Sequence, residues 1–283
     1  MKLVFSRKGF DSSFGGGPSP IIEGRPLSMP IPAGNDPSIT RYGDLASPYP
    51  EVISDLYSYR RRGVQLEDYC HLDPDIRASA LSERPRGWRG AFGQSGAAAS
   101  YLKNQQVGVG DLFLFFGLFR FANKTGSAWR FYGNSEHRIY GWLQVGEVLE
   151  CSTENCSVRE GKDWLSNHPH TYPGNARPNL IFIAVDQLSF APGVPGYGLF
   201  GTGVRLSAGD RPSVWRLPSW LNPLQGGVGL SRHSPQRWDS NGLLRTVSPG
   251  QEFIAPIKGH QAALDWLSRL FESERPTSSP SAA

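Results

Sequence analysis

The sequence has little cysteine and no long apolar run, and both absences narrow the class of protein. Only Cys70, Cys151 and Cys156 occur. Three cysteines make a poor disulfide framework, and the Cys-x4-Cys pair lacks the second pair of a typical structural zinc site. The longest apolar stretch, LFLFFGLFRFA, is too short to cross a bilayer, and the N-terminus lacks the apolar core of a signal peptide. We therefore expect a cytoplasmic protein without a membrane anchor.

Several catalytic signatures are missing as well. The chain has no G-x-S-x-G nucleophile elbow and no G-x-G-x-x-G following a strand. The glycine-rich segment near the N-terminus does not follow the Walker A order of glycines, then Lys, then Ser or Thr, so it is not a P-loop. These absences disfavour common hydrolases and dinucleotide-binding enzymes.

Glycine, proline, arginine and aromatic residues are plentiful. The 283 residues include 33 Gly and 23 Pro, and 12% are aromatic. This composition predicts many loops between short strands. The net charge is +4, and arginine greatly outnumbers lysine. Arginine suits phosphate recognition and base stacking, but the same bias follows from a GC-rich genome, so charge alone leaves nucleic-acid binding open.

The pattern of apolar residues predicts an α+β fold. Residues 107–121, 137–150 and 179–186 are rich in aromatic and β-branched residues and predict neighbouring buried strands, with a polar separator at 122–136. Residues 49–63 and the segment GHQAALDWLSRLFESER predict amphipathic flanking helices. Because the strands are central and no regular βαβ alternation occurs, we expect a mixed, mostly antiparallel sheet with long Gly/Pro-rich loops. Residues 1–273 are expected to form one domain and residues 274–283 a disordered tail.

The first candidate site lies where the opening strand runs into a glycine-rich loop. Arg7 and Lys8 supply cations for a phosphate, and Ser12 offers a hydroxyl. Asp11 is a candidate catalytic base, cation ligand or sugar-binding residue. The alternative is an ordinary solvated turn, since glycine-rich loops usually only reverse the chain.

Two further segments contain histidine and carboxylate. In DYCHLDPDI (68–76), His71 and Asp73 are candidates for acid–base or metal chemistry, whereas Asp75 suits a helix cap. In NHPHTY (167–172), His168 and His170 would lie on one face of an extended segment, a known metal-ligand arrangement. Surface histidines in a loop are the alternative. A divalent metal is therefore the cofactor compatible with the sequence, although spacing alone does not assign one.

Arginines and tryptophans alternate late in the chain. Arg205 precedes a stretch that contains Trp215, Trp220 and Trp238 among further arginines. This pattern suits a surface that stacks bases and binds phosphates. It equally suits tryptophans in the core flanked by arginines in solvent.

Together, the segments SRKGFDSSFGGGPSPI, HLDPDI, FGQSGAAASYLKNQQVGVGDLFLFFGLFR, HPHTY and RLPSWL resemble the third family of nucleotide modification associated domains. The resemblance extends from residue 3 to about residue 270. It implies a protein that acts on or near modified nucleotides, with a nucleotide or nucleic acid as its partner, and it leaves the reaction open. Gln94, within the FGQSG segment, joins the candidate binding residues.

The central strands also resemble PUA-like and EVE-like domains over roughly forty residues. That resemblance implies a partial barrel that accepts a flipped base, with Phe116, Arg120 and Trp142 near the base. Two functions follow. The first is an enzyme of base modification or processing in which Asp11, His71 and Asp73 are catalytic. The alternative is a non-catalytic reader of modified bases in DNA or RNA.

Overall fold

The fold is organised around one large mixed β-sheet. The computed structural model describes residues 1–34, 38–60, 63–151, 161–172, 174, 176–247 and 252–272. The large sheet has nine strands, and two small two-stranded sheets accompany it.

The strands and helices are numbered in chain order. The strands are β1 (Lys2–Arg7), β2 (Ser19–Ile22), β3 (Arg25–Pro26), β4 (Ile31–Pro32), β5 (Cys70–His71), β6 (Ala91–Ser95), β7 (Leu112–Thr125), β8 (Ala128–Glu150), β9 (Asn179–Ala184), β10 (Tyr197–Arg205), β11 (Val214–Arg216), β12 (Leu243–Arg245) and β13 (Glu252–Pro256). The α-helices are α1 (Tyr49–Leu56), α2 (Gly96–Asn104) and α3 (Gln261–Leu270).

The long β7–β8 hairpin forms the centre of the large sheet. Its main path runs β13-β1-β7-β8-β9-β6, with β2 also on β7, β3 on β2, and β10 on β8. The pairs β1–β7 and β2–β7 are parallel, and the other pairs in this sheet are antiparallel. The expected α+β class with a mixed, mostly antiparallel sheet and flanking helices is therefore confirmed.

Alternating side chains of the central strands supply two cores. Leu3 and Phe5 of β1 face the core that α3 covers, together with the buried Trp215. Val4, on the opposite face, joins the core that contains Phe92 and the apolar side of α2. Because successive strand residues point to opposite faces, the residues that follow Val4 on its face are Ser6 and then Lys8. The second face thus turns from apolar to polar at the end of β1.

The sheet curves until its two edge strands meet through side chains. β6 and β13 are the ends of the six-strand path, yet the Gln94 amide of β6 donates to the Glu252 carboxylate of β13. The described strands nevertheless form no closed barrel, since no backbone pairing joins β6 to β13. The curvature brings buried polar side chains together at one end of the second core.

Two predicted elements have the wrong extent. The segment 122–136 was predicted to separate two strands, but β7 and β8 continue through it to a tight turn at Gly126, whose φ is +64°. The continuation is held by α1, because the Trp129 backbone N–H donates to Asp55 at 2.8 Å. The first helix ends at Leu56 instead of near residue 63: Tyr57 leaves helical geometry, with φ −127° and ψ −33°, and its ring packs against Phe10.

The structure also bears on the predictions about membrane spans, the C-terminal tail and the cysteines. None of the described helices has both the length and the apolar character needed to span a membrane. The predicted tail at 274–283 lies outside the described residues. Cys70 is a free, buried thiol, and Cys151 is disulfide-bonded, although three cysteines make a poor disulfide framework.

His137 makes the stability of the core depend on pH. Its Nδ1 accepts a hydrogen bond from Trp215 Nε1 at 3.0 Å, and burial, followed by the positive charge of Arg7, lowers its pKa to about 3. In the unfolded chain a histidine titrates near pH 6.5. Between these values only the unfolded chain takes up this proton, so lowering the pH favours unfolding.

We therefore expect the wild type to lose about 1.4 kcal/mol more stability than His137→Gln when the pH falls from 7.5 to 5.5. Urea unfolding followed by tryptophan fluorescence at both pH values measures the difference. Equal losses in the two proteins would mean that His137 of the folded protein takes up its proton over this pH range just as the unfolded chain does.

Candidate functional site

Three separate segments bring polar side chains together at the polar end of the second core. His71 is the last residue of β5, which pairs with β4, and Asp73 follows two residues later. A 3-10 turn over Pro169–Thr171 carries His170, with His168 at its N-cap position. Lys8 extends from the end of β1 on the same face as Phe92. All of these side chains are largely buried, so the site is built into the fold rather than placed on its surface.

His71, Asp73 and His170 form a compact set of metal-ligand atoms. One ligand atom from each residue lies within 4.8 Å of the others, and all three residues are buried. Burial lowers the pKa of His71 to about 3 and that of His170 to about 4, an effect only partly offset by the Asp73 carboxylate. Both imidazoles are therefore neutral near pH 7, the state in which a ring nitrogen can bind a metal.

The hydrogen bonds of Asn179 determine which nitrogen of His170 is free. The Asn179 side-chain amide N–H donates to the His170 carbonyl at 2.7 Å, so the amide oxygen of Asn179 faces His170 Nδ1, also at 2.7 Å. That oxygen only accepts, so Nδ1 carries the proton and Nε2 keeps its lone pair. Nε2 is the nitrogen that faces Asp73, at 4.0 Å. His170 is thus oriented as a metal ligand by a side-chain carbonyl, as ligating histidines usually are.

His168 has the opposite tautomer and hence another role. Its Nδ1 accepts a hydrogen bond from the His170 backbone N–H at 3.3 Å, which places the proton of the neutral ring on Nε2. Nε2 lies 3.4 Å from Asp73 Oδ1 without forming a well-aligned hydrogen bond. The two histidines of the His-x-His motif therefore differ: His170 offers a lone pair, and His168 offers an N–H toward the carboxylate.

Asp73 is held as a carboxylate despite its burial. Its Oδ1 accepts a hydrogen bond from the Gly93 backbone N–H at 2.7 Å, and its Oδ2 lies 3.9 Å from Lys8 Nζ. Burial alone would raise the pKa of Asp73, but His168, Lys8 and His170 together hold that pKa well below its usual range. The site therefore presents a negative oxygen beside two neutral imidazoles.

Gly93 lets the His170 ring lie directly on the backbone of β6. A Cβ at this position would be 2.1 Å from His170 Cδ2, far inside van der Waals contact. The His170 ring cannot move aside easily, because Asn179 holds one edge and the His71 ring packs against it with centroids 5.0 Å apart. The absence of a side chain at residue 93 is thus a requirement of the site.

A second buried polar group adjoins Lys8. Glu252 accepts hydrogen bonds from Gln94 and from the Ser6 hydroxyl, the latter at 3.3 Å. Burial raises the pKa of Glu252, although Lys8, Gln94 and Ser6 act in the opposite direction. The Lys8 ammonium itself lies 4.4 Å from the centre of the Phe92 ring. Lys8 therefore interacts electrostatically with both Asp73 and Glu252.

An aromatic cleft lies beside His168. Its walls include Trp88 and Trp164, and His168 and Leu72 lie at its inner side. Arg84 also lines it and places its guanidinium 4.3 Å from the centre of the Trp88 ring. The cleft thus presents aromatic side chains, with the Arg84 charge paired to Asp75, beside the histidine–aspartate cluster of His71, Asp73, His168 and His170.

Asp11 and Arg7, the first candidates from the sequence, lie apart from this cluster. Their side chains form an ion pair of 2.8 Å with each other. The other Asp11 oxygen accepts hydrogen bonds from the backbone N–H groups of Ser13 and Phe14, so this carboxylate stabilises the glycine-rich turn. Ser12 is exposed in the same turn. Of the residues in this loop, Lys8 alone makes a described contact with the cluster.

The candidate base-contacting residues of the central strands also lie elsewhere. Phe116 and Trp142 are 1% and 4% exposed and pack in the core covered by α3. Arg120 donates to the Gly133 carbonyl on the β7–β8 hairpin, and Arg205 forms an ion pair with Glu136. The late tryptophans Trp215, Trp220 and Trp238 are buried, which agrees with the core interpretation of that stretch.

Sequence reasoning missed Glu252, Ser6, Asn179 and the two tryptophans of the cleft. Ser6 could have been found, because it alternates with Val4 and Lys8 on one face of β1. Glu252 and Asn179 each stand at the start of a strand, and no local pattern marks them as partners of residues far away in the chain. Their role follows from sheet register alone.

Asn179 provides a test of the tautomer assignment. We expect Asn179→Leu to weaken zinc binding about 10- to 100-fold, because the His170 ring can reorient once the Asn179 oxygen that accepts from its Nδ1 is lost. Isothermal titration with Zn²⁺ measures the affinity, and Asn241→Leu, in an exposed turn, serves as the control. An affinity unchanged from the wild type would show that Asn179 does not orient the ligand.

Comparison with protein-family models identifies a family to which most of the chain belongs. The family model described as nucleotide modification associated domain 3 matches residues 2–256 of the 283. No curated protein and no solved structure matches the chain. The match spans the strands, the glycine-rich loop and every residue of the histidine–aspartate cluster, in agreement with the resemblance found in the sequence. The chain therefore belongs to the nucleotide modification associated domain 3 family.

Proposed function

We propose that this protein is a metal-dependent enzyme that acts on a nucleotide or on a base of a nucleic acid. The observation that carries the proposal is the convergence of ligand atoms from His71, Asp73 and His170 within 4.8 Å. Two imidazoles and one carboxylate are the donor set of catalytic zinc sites and of non-haem iron sites, where further coordination positions remain for water and substrate. Family membership supports a nucleotide as the substrate class.

The chemistry follows from the residues around the metal ligands. A divalent metal at such a site polarises a bound substrate oxygen or lowers the pKa of a bound water. Lys8, 3.9 Å from Asp73, adds a fixed positive charge that can stabilise negative charge developing on the substrate. Because Lys8 and the three ligands are largely buried, these charges act in an environment where water screens them little.

The aromatic cleft beside His168 supports a base as part of the substrate. Trp164 offers a flat surface on which a nucleobase would stack, whereas one face of Trp88 is already covered by the Arg84 guanidinium. Base stacking on such side chains tolerates different bases, and it is compatible with a free nucleotide as well as with a base extruded from a nucleic acid. The site thus combines a recognition surface with a reactive centre.

A non-catalytic reader of modified bases is the second candidate. Its support is family membership, which does not distinguish reading from catalysis. The two aromatic residues expected to contact a base in a reader, Phe116 and Trp142, are buried in the core. The clustering of His71, Asp73 and His170 has no role in a reader, and for this reason we favour the enzyme.

The proposal is tested by metal analysis and by activity together. Purified protein is expected to retain close to one equivalent of divalent metal, and to convert at least one substrate from a panel of modified nucleotides and oligonucleotides. Chelation should abolish conversion, and one added metal should restore it. Protein that neither contains metal nor binds Zn²⁺, Mn²⁺ or Fe²⁺ would refute the metal-dependent enzyme.

A further inference from the structure

A small cavity shares Leu72 with the aromatic cleft and is also lined by Asp73. Its lining includes Ser28, Tyr49, Asp73, Arg77, Tyr140 and Leu199, and we refer to it as the Tyr140 cavity. Asp73 is thus shared between this cavity and the metal-ligand cluster. The cavity is separate from the Trp88–Trp164 cleft, which Asp73 does not line.

Tyr140 brings an unused donor to the cavity. The residue is 2% exposed, and its buried hydroxyl makes no well-formed hydrogen bond with the described residues, although the Ser28 hydroxyl lies beside it. Burying a hydroxyl without a partner costs free energy, so such groups are rare unless a ligand or water completes them. Tyr140 extends from the centre of β8, where the backbone fixes its position.

Arg77 brings an unused charge to the same cavity. Among the described residues it has no carboxylate within ion-pair distance, and its one hydrogen bond is a long one of 3.5 Å to the Pro26 carbonyl. The nearby carboxylate of Asp75 is not available to it, because Arg84 and Trp88 occupy both Asp75 oxygens. The Tyr140 cavity is therefore lined by Arg77 and by the neighbouring hydroxyl residues Tyr140 and Ser28.

We infer that the Tyr140 cavity binds the oxyanion of a substrate or co-substrate, either a phosphate or a carboxylate. Arg77 would supply the charge, and the Tyr140 and Ser28 hydroxyls would donate hydrogen bonds. This inference deepens the proposed function, since it places an anionic group next to the metal ligands. The two chemical sources are the phosphate of a nucleotide and the carboxylate of a metal-chelating co-substrate.

Asp73 makes anion binding depend on the metal. Its carboxylate lines the cavity and repels an anion when no metal is bound. A divalent cation on Asp73 would reverse the sign of the local charge. By linkage, the metal then strengthens anion binding, and the anion strengthens metal binding by the same factor.

The test measures binding of inorganic phosphate and of oxalate by isothermal titration, with and without Zn²⁺. Tyr140→Phe and Arg77→Met remove one donor each with little change in volume, and both should weaken binding of the preferred anion at least about tenfold. Tyr132→Phe and Arg216→Met, both at exposed positions, serve as matched controls and should bind as the wild type does. Tyr140→Phe should leave the melting temperature unchanged or raised, because it deletes an unpaired hydroxyl.

The outcomes separate the two sources and the two proposals. Phosphate binding that survives without metal identifies a nucleotide phosphate subsite, and oxalate binding that needs Zn²⁺ identifies a co-substrate carboxylate. Absence of saturable binding of both anions, or equal affinities in Tyr140→Phe, Arg77→Met and the wild type, would overturn the inference. If the protein binds no metal but the two variants still lose anion binding, the metal-dependent function fails and the oxyanion cavity stands.

Discussion

Replacing Asp73 with Asn is expected to remove metal binding and to destabilise the protein. Loss of the charged ligand should weaken Zn²⁺ binding by more than about 100-fold, which is more than the loss expected for Asn179→Leu. Asn can still accept the hydrogen bond from the Gly93 N–H, so the backbone contact survives. Lys8, however, loses its nearest carboxylate at 3.9 Å and keeps only Glu252, which lies beyond ion-pair distance, so the buried charge should cost up to about 3 kcal/mol. Zinc titration and urea unfolding measure the two effects.

Two further variants show that these effects come from the site. Asp11→Asn alters a carboxylate on the loop that carries Lys8, where its partner is Arg7, and it should retain wild-type metal affinity. The double variant Asp73→Asn/Lys8→Met has no unpaired ammonium, so it should recover part of the lost stability without recovering metal. Wild-type affinity in Asp73→Asn, or an equal loss in Asp11→Asn, would contradict the assignment of Asp73 as a ligand.

The sheet was predictable because its signal is local. Alternating and continuous apolar runs identified β7, β8 and β9, and the order of strands and helices gave the α+β class. The full length of the β7–β8 hairpin was not predictable, since its polar end is stabilised by α1, an element more than seventy residues away in the chain. Local composition reports propensity, whereas such contacts depend on the completed fold.

The candidate site was predictable in its residue types but not in its membership. His71, Asp73 and His170 stood out because histidine and aspartate at short spacing suit metal chemistry. Asp11 stood out for the same kind of reason, yet its carboxylate is occupied by Arg7 and the turn. Only the sheet register decides which candidates meet. The His-x-His motif adopts a 3-10 turn rather than an extended strand, since Pro169 begins the turn after His168.

His168 and His170 adopt different tautomers, a difference that the sequence does not reveal. His168 and His170 are equivalent in the motif, but one backbone N–H and one asparagine give their Nε2 atoms opposite roles. Neither partner is visible from spacing, because Asn179 belongs to β9 and acts through its own bond to the His170 carbonyl. The chemistry of the site therefore depends on the groups that hydrogen-bond the histidine rings as much as on the metal ligands.

Gly93→Ala is expected to impair the site without touching a ligand. The new methyl group would lie 2.1 Å from His170 Cδ2, so either β6 or the His170 ring must shift. Overpacking of this kind costs about 1–3 kcal/mol. Displacement of the ring should also weaken Zn²⁺ binding at least about tenfold, since ligand positions must be held closely. Thermal unfolding and zinc titration measure both effects.

A matched glycine and a double variant identify the cause. At Gly108 an added Cβ meets nothing within 4 Å, so Gly108→Ala should keep wild-type stability and metal affinity. In Gly93→Ala/His170→Ala the clashing ring is absent, so the alanine at residue 93 should cost less stability than it does in the presence of His170. Such non-additivity is the signature of direct contact. Additive losses would instead mean that Gly93 serves the strand rather than the seating of the His170 ring.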